Sequence, residues 1–183
     1  MRDTKQEIIR FWFEETSPRQ WFQKDDSFDT EIRERFLVTY EMARKDLCAD
    51  WTRDCDGVLA LCLLLDQFPR NMFRDNPKAF ETDGKILLIV KEALHKGFVA
   101  LLNPVKRKFM YMPFMHSENL SDQRKSVSLF EMMKDDDPLS YEYALKHLEV
   151  IEKFGRFPHR NQVLGRSSTA EEENYLELPG AGF

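Results

Sequence analysis

Signals that begin α-helices recur along the whole chain, and they limit its possible folds more than any other feature of the sequence. Asn76, Asn103 and Asp137 each precede a proline, which pairs an N-cap side chain with the residue suited to the first helical turn. A capping box stands in "TKQE", residues 4–7, and two overlapping ones, Ser168 with Glu171 and Thr169 with Glu172, stand in "SSTAEE", residues 167–172. No segment alternates apolar and polar residues in the way typical of a β-strand. The sequence therefore predicts an all-α protein.

The cap signals, the apolar spacing, and Gly97 and Gly155 at positions suited to helix ends divide the chain into about eight helices. One apolar stripe runs from Phe28 to Leu47 in steps of three or four residues. The predicted helices cover residues 4–14, 28–47, 57–67, 77–96, 104–112, 121–134, 138–154 and 169–177. Short connections between consecutive helices favour antiparallel hairpins, arranged as an array or an irregular bundle. The length of 183 residues predicts a single domain over residues 1–183.

Composition and charge exclude several classes of protein. The formal net charge of −5 disfavours nucleic acid as a partner, because such proteins usually carry a basic excess. The longest apolar run, "VLALCLLL" at residues 58–65, is too short to span a membrane, and the N-terminus lacks the apolar core of a signal peptide. Three cysteines without a CxxC pair indicate reduced thiols. We expect a cytoplasmic protein that has no membrane partner.

Three segments join an apolar helix to an aromatic residue, a proline and then polar residues. They cover residues 63–75, 108–123 and 153–168. Because proline interrupts a helix, we expect the chain to turn at each one and to display the polar side chains at a helix end. The stretch from 153 to 166 contains one lysine, three arginines and a histidine with no acidic residue. Such a concentration of positive charge on an acidic protein indicates a site for a small anion.

The candidate site residues follow from these three segments. Arg70, Arg156 and Arg160 are expected to hold the anion. His116 with Glu118, or else His159, is expected to transfer protons, because a histidine beside a carboxylate can act as a general acid or base. The other predicted ligand-binding residues are Asp66, Gln67, Asn71, Gln123, Asn161 and Arg166.

Two alternatives to an anion site stay open. Arginine, asparagine and glutamine at helix ends also bind unpaired carbonyl groups, so the polar set could serve only to link helices. A helical array could also hold an acidic peptide on its concave face, as a binding scaffold without catalysis. The chain has no HExxH, P-loop, GxSxG or GxGxxG motif, so no metal or cofactor is expected, and the sequence does not decide whether the protein is an enzyme.

Four long motifs carry a resemblance to a known family. They read "LLDQFPRNMFR", "FMYMPFMHSE", "DQRKSVSLF" and "FGRFPHRNQVLGRSSTAEE". With them, nearly the whole chain resembles the domain-of-unknown-function 924 family of bacterial-type proteins. The resemblance implies a helical fold similar to tetratricopeptide-like superhelices and no established activity. Its motif positions include all the candidate residues above together with Ser117 and His147, while Gly84 departs from the helix-forming alanine that we expect.

Overall fold

A computed structural model of the chain describes residues 4–182, and no residue in this range lies in a β-strand. The α-helices are α1 (Thr4–Arg10), α2 (Pro18–Phe22), α3 (Asp26–Arg44), α4 (Cys55–Cys62), α5 (Phe68–Met72), α6 (Asp83–His95), α7 (Pro104–Met115), α8 (Leu120–Glu131), α9 (Pro138–Phe154) and α10 (Ala170–Leu176). The all-α prediction is confirmed. The tetratricopeptide-like arrangement of the helices stays a prediction.

Shorter helical turns of other types complete the helical structure. Turns of 3₁₀ helix span Ala49–Arg53, Pro77–Phe80, Phe98–Leu101 and Pro158–Arg160, and turns of π-helix span Phe11–Glu15 and Leu63–Gln67. No helix within residues 4–182 has both the length and the apolar character that a membrane span requires. The predicted cytoplasmic location stays a prediction.

The helix ends show which local signals were interpreted correctly. Thr169 accepts a hydrogen bond from Glu172 N and donates its own N–H to the Glu172 carboxylate, as the second of the two overlapping capping boxes predicts. Gly155 ends α9 with a φ of 70°. Helix α2 was missed, although Ser17 and Gln20 form a capping box around a proline at its start. Leu47 is exposed because α3 ends at Arg44, before the predicted end.

The described residues group into two compact units, and the predicted single domain stays a prediction. The first unit comprises residues 4–74 and 78–113, and the second comprises residues 75–77 and 114–182. Aromatic rings fill the core of the first unit, where the ring centres of Phe36 and Phe68 lie 4.9 Å apart. In the second unit, α8 packs against α9, and Val150, Ile151 and Phe157 form a buried apolar cluster.

The expectation that the chain turns at each proline was wrong in two of the three segments. α5 continues in helical conformation through Pro69, and α7 runs through Pro113 to Met115. Because Pro69 has no N–H, it cannot bond the carbonyl of Leu65, and the Thr82 hydroxyl donates to that oxygen instead at 2.5 Å. The third segment does turn, because α9 ends at Phe154, ahead of its proline. Tertiary hydrogen bonding thus replaces the bond that proline removes.

Gly84 offers a small gain in stability. It is the second residue of α6, and a Cβ built there would meet no heavy atom within 4 Å. We expect Gly84→Ala to raise the free energy of unfolding by about 0.5 kcal/mol, since alanine restricts the unfolded chain. Denaturant unfolding measures this change. Gly97→Ala is the control and should be destabilising, because the φ of Gly97 is 73°. A loss of stability in Gly84→Ala would contradict the prediction.

Candidate functional site

In the first unit, the predicted polar residues bind one another. The Asp66 side chain is fully buried and accepts a hydrogen bond from Gln67 Nε2 at 2.5 Å. The Arg70 guanidinium donates hydrogen bonds to both carboxylate oxygens of Asp83, at 3.1 and 3.0 Å. Arg70 also donates to the backbone oxygen of Asp66, and its guanidinium lies 3.3 Å from the Asp66 carboxylate. These contacts tie the π-turn at Leu63–Gln67 to the start of α6.

A second set of contacts in this unit links α5 to α3. Asn71 Nδ2 donates to Asp29 Oδ1 at 2.7 Å. Arg74 binds both oxygens of the same carboxylate, with Nη2 at 3.0 Å from Oδ1. The four predicted residues of this unit therefore sit in a network of the kind that links helices. Their role in ligand binding stays a prediction.

In the second unit, Arg156 forms an ion pair with a buried carboxylate. Its Nε and Nη2 donate to the two oxygens of Glu172 at 2.7 and 2.8 Å. Glu172 is only 2% exposed and also accepts from the Thr169 N–H and, at 3.3 Å, from Asn161 Nδ2. The hydrogen bonds from Arg156 lower the pKa of Glu172 to about 2, although burial acts in the opposite direction. Through these contacts with Glu172, Arg156 and Asn161 hold the stretch from 153 to 166 against α10, the helix that contains Glu172.

Arg166 forms the other ion pair of this segment, with Glu118. Its Nη1 and Nη2 lie 2.8 and 3.0 Å from the two carboxylate oxygens. Glu118 accepts the N–H of Phe157 at 2.8 Å, and Arg166 donates to the carbonyl of Phe157 at 3.1 Å. Burial works to raise the pKa of Glu118, but the hydrogen bonds from Arg166 and from the Phe157 N–H outweigh it and lower that pKa. The pair therefore fixes both backbone polar groups of Phe157.

Two histidines and an arginine surround the Phe157 side chain that this pair holds, and a third histidine lies beside one of the two. The ring centres of His147 and His159 lie 5.5 and 5.6 Å from that of Phe157. The guanidinium carbon of Arg160 lies 4.6 Å from the same ring centre, and the ring of His116 lies 6.4 Å from that of His147. We call these five residues the Phe157 cluster. His147 and Arg160 are buried, whereas His116 and His159 are partly exposed, so the cluster reaches the surface.

His147 is electrically neutral at pH 7. Its pKa is lowered to about 3, first by burial and then by the positive charges of His116, Arg160 and His159. Its Nδ1 lies 2.7 Å from the carbonyl oxygen of Tyr143. Because a carbonyl group only accepts, Nδ1 carries the hydrogen and Nε2 carries the lone pair. The sequence analysis named His147 only as one of the family's motif positions, and the sequence contained no signal for this grouping.

The structure thus divides the predicted site residues. The second unit contains all of those from residue 116 onward, and it brings His116, His159 and Arg160 together with Glu118 and Arg166 close by. Asp66, Gln67, Arg70 and Asn71 belong to the first unit, and their grouping with the others stays a prediction. Among residues 4–182, no three His, Cys, Asp or Glu side chains are arranged to hold a metal ion.

Comparison with known proteins agrees with the motifs. The model of a family described as "Bacterial protein of unknown function (DUF924)" matches residues 8–180. A solved structure of a protein of unknown function from Agrobacterium tumefaciens is similar to this chain, with a TM-score of 0.89 and 35% sequence identity over 95% of this chain and 97% of that one. No curated protein matches. The resemblance that the motifs indicated is confirmed, and the chain belongs to the DUF924 family of bacterial proteins.

Proposed function

We propose that the Phe157 cluster binds a small anionic ligand that carries a phosphate or carboxylate group. The observation that supports this proposal is the grouping of two imidazoles and one guanidinium around a single phenyl ring, with the imidazole of His116 beside that of His147. The N–H groups of Arg160, His116 and His159 are of the kind suited to anionic oxygens, whereas the N–H of His147 is bound to the carbonyl of Tyr143. Partial exposure of His116 and His159 gives such a ligand a route from solvent.

The charges around the cluster support the same proposal. Arg156 and Arg166 are already bound to the carboxylates of Glu172 and Glu118, so we assign these two arginines to the scaffold. Arg160 adds a third guanidinium, and its positive charge contributes to lowering the pKa of His147. The positive charge of the Arg160 guanidinium would attract an anion to the cluster, which makes its binding favourable.

The histidines are also suited to chemistry on a bound ligand. We assign any proton transfer, such as a hydrolase or transferase would need, to His116 and His159. Both are partly exposed imidazoles, the side chains whose ordinary pKa lies nearest neutral pH. Glu118 is held in its ionised form by Arg166, so we assign it to orienting Phe157 rather than to accepting a proton.

Thermal unfolding with and without inorganic phosphate tests the proposal. A ligand that binds only the folded state stabilises it, so near-saturating phosphate should raise the melting temperature by about 3 °C. Arg160→Met keeps apolar contact with Phe157 but removes the charge, and it should abolish most of that rise. Arg124→Met is the matched control, because Arg124 is exposed and pairs only loosely with Glu152, at 3.5 Å.

Two results would contradict an anion site. An equal rise in chloride of the same ionic strength would mean that salt acts by screening alone. No response to phosphate or citrate, together with a rise in the presence of an acidic peptide, would favour the peptide-binding scaffold instead.

A further inference from the structure

We infer that Gln123 is the residue that positions His116, an inference that rests on the proposed function of the Phe157 cluster. Gln123 lies in the first turn of α8 and its side chain is fully buried. Its Nε2 donates to the carbonyl oxygens of Met115 and Ser117, each at 2.6 Å. One side-chain nitrogen therefore binds the backbone on both sides of His116.

The end of α7 explains why the Met115 carbonyl needs a donor. The last carbonyl groups of a helix have no partner within the helix, and α7 ends at Met115. Gln123 Nε2 also lies 3.4 Å from the carbonyl oxygen of Phe114. Because three carbonyl oxygens surround this atom and only the NH₂ group of the amide can donate, the orientation of the side chain is determined. Gln123 thus holds the Met115–His116 peptide group on one side of His116 and the Ser117–Glu118 peptide group one residue further along on the other side. With both held, the direction of the His116 Cα–Cβ bond is restricted.

Neighbouring contacts connect this arrangement to the rest of the cluster. Ser117 Oγ donates to Asp122 Oδ2 at 3.0 Å, so two consecutive residues of α8 bind the segment that contains His116. The Asn119 side chain caps the start of α8. α8 packs against α9, the helix that carries His147. Gln123 thus links the backbone at His116 to the helix pair that holds His147.

This geometry changes the role expected for Gln123. The sequence predicted that its amide contacts the ligand, but its donor nitrogen is occupied by backbone carbonyls and the side chain is buried. We therefore assign Gln123 a positioning role, exerted through His116, in place of direct contact.

A pair of matched variants tests the assignment. Gln123→Met keeps a similar volume but cannot donate. Thr82→Val is the control, since Thr82 is likewise buried and donates to a helix carbonyl, in the first unit. Gln123→Met should weaken phosphate binding about tenfold, the scale of losing a supporting hydrogen bond at a binding site. It should also shift the NMR pH titration of the His116 ring and broaden its signals. Thr82→Val should leave the phosphate affinity, the His116 titration and the His116 line widths at their wild-type values.

The outcome of each measurement is decisive. Folded Gln123→Met with wild-type phosphate affinity and unchanged His116 signals would overturn the inference. If Gln123→Met does not fold, Gln123→Asn replaces it, because the shorter amide cannot reach both carbonyls and the same changes are expected. If the wild-type protein binds no phosphate, the proposed function fails, but the His116 titration and line widths still decide the role of Gln123.

Discussion

Replacing Arg70 with alanine is expected to lower the free energy of unfolding by about 3 kcal/mol, because it leaves the fully buried carboxylate of Asp66 without its cationic neighbour. Losing one partner of a buried ion pair typically costs about 3–5 kcal/mol. We expect the lower end of that range, since the Arg70 side chain is 22% exposed and water can reach part of the site. The bidentate contact with Asp83 is lost at the same time.

Urea unfolding at neutral pH measures this loss. Arg124→Ala is the control, because its side chain is 64% exposed and a surface ion pair contributes at most about 1 kcal/mol. If Arg70 belonged to an open, positively charged pocket, its removal would change the free energy of unfolding little, because it would relieve the repulsion between Arg70 and the neighbouring positive charges. A loss below about 1 kcal/mol in Arg70→Ala would therefore contradict the structural role and favour ligand binding at Arg70.

Acid is expected to destabilise the protein through His147. The pKa of this imidazole is about 3 in the folded protein, below its ordinary value of 6.5, so between these values the unfolded chain binds a proton that the folded protein does not. The stabilising contribution is complete above pH 6.5 and is lost as the pH falls toward 3. In this range the free energy of unfolding falls by about 1.4 kcal/mol per pH unit, so the loss is about 2 kcal/mol at pH 5.

Glu172 adds a second pH range in which acid destabilises the protein, and this range lies at lower pH. Its pKa is about 2 in the folded protein against an ordinary value of 4.5, so its contribution is present above pH 4.5 and is lost as the pH falls toward 2. The contributions of His147 and Glu172 can be distinguished, because on lowering the pH the loss of stability begins near pH 6.5 for His147 and near pH 4.5 for Glu172.

Unfolding midpoints measured between pH 7 and pH 4 test this prediction. His147→Asn places an amide donor near the carbonyl of Tyr143 but does not titrate, so its stability should stay nearly constant between pH 6.5 and 4.5. His95→Asn is the control, since His95 is exposed at the end of α6 and its removal should leave the steep profile unchanged. If His147→Asn loses stability as steeply as the wild-type protein above pH 5, His147 is not the group responsible.

The helices of this protein could be predicted because their signals are local. The capping box at Thr169, the proline after Asp137 and the left-handed Gly155 each act through residues within a few positions along the chain. The same holds for the apolar residues of α3 from Phe28 to Ala43, whose spacing of three or four predicted the buried face. Interactions of this range depend on the order of residues, so the printed sequence contains them.

The partners of the charged residues could not be predicted in this way. The stretch from 153 to 166 has no acid of its own, yet Arg156 is neutralised by a carboxylate 16 residues away and Arg166 by one 48 residues away. The helix through Pro69 likewise depends on a hydroxyl group 17 residues from the carbonyl it binds. The order of residues by itself determined the all-α fold class, most of the helix positions and the family motifs. Only the tertiary structure decided which charges are paired and which imidazoles surround Phe157, because ion pairing and burial depend on distances in space between residues that are far apart in the chain.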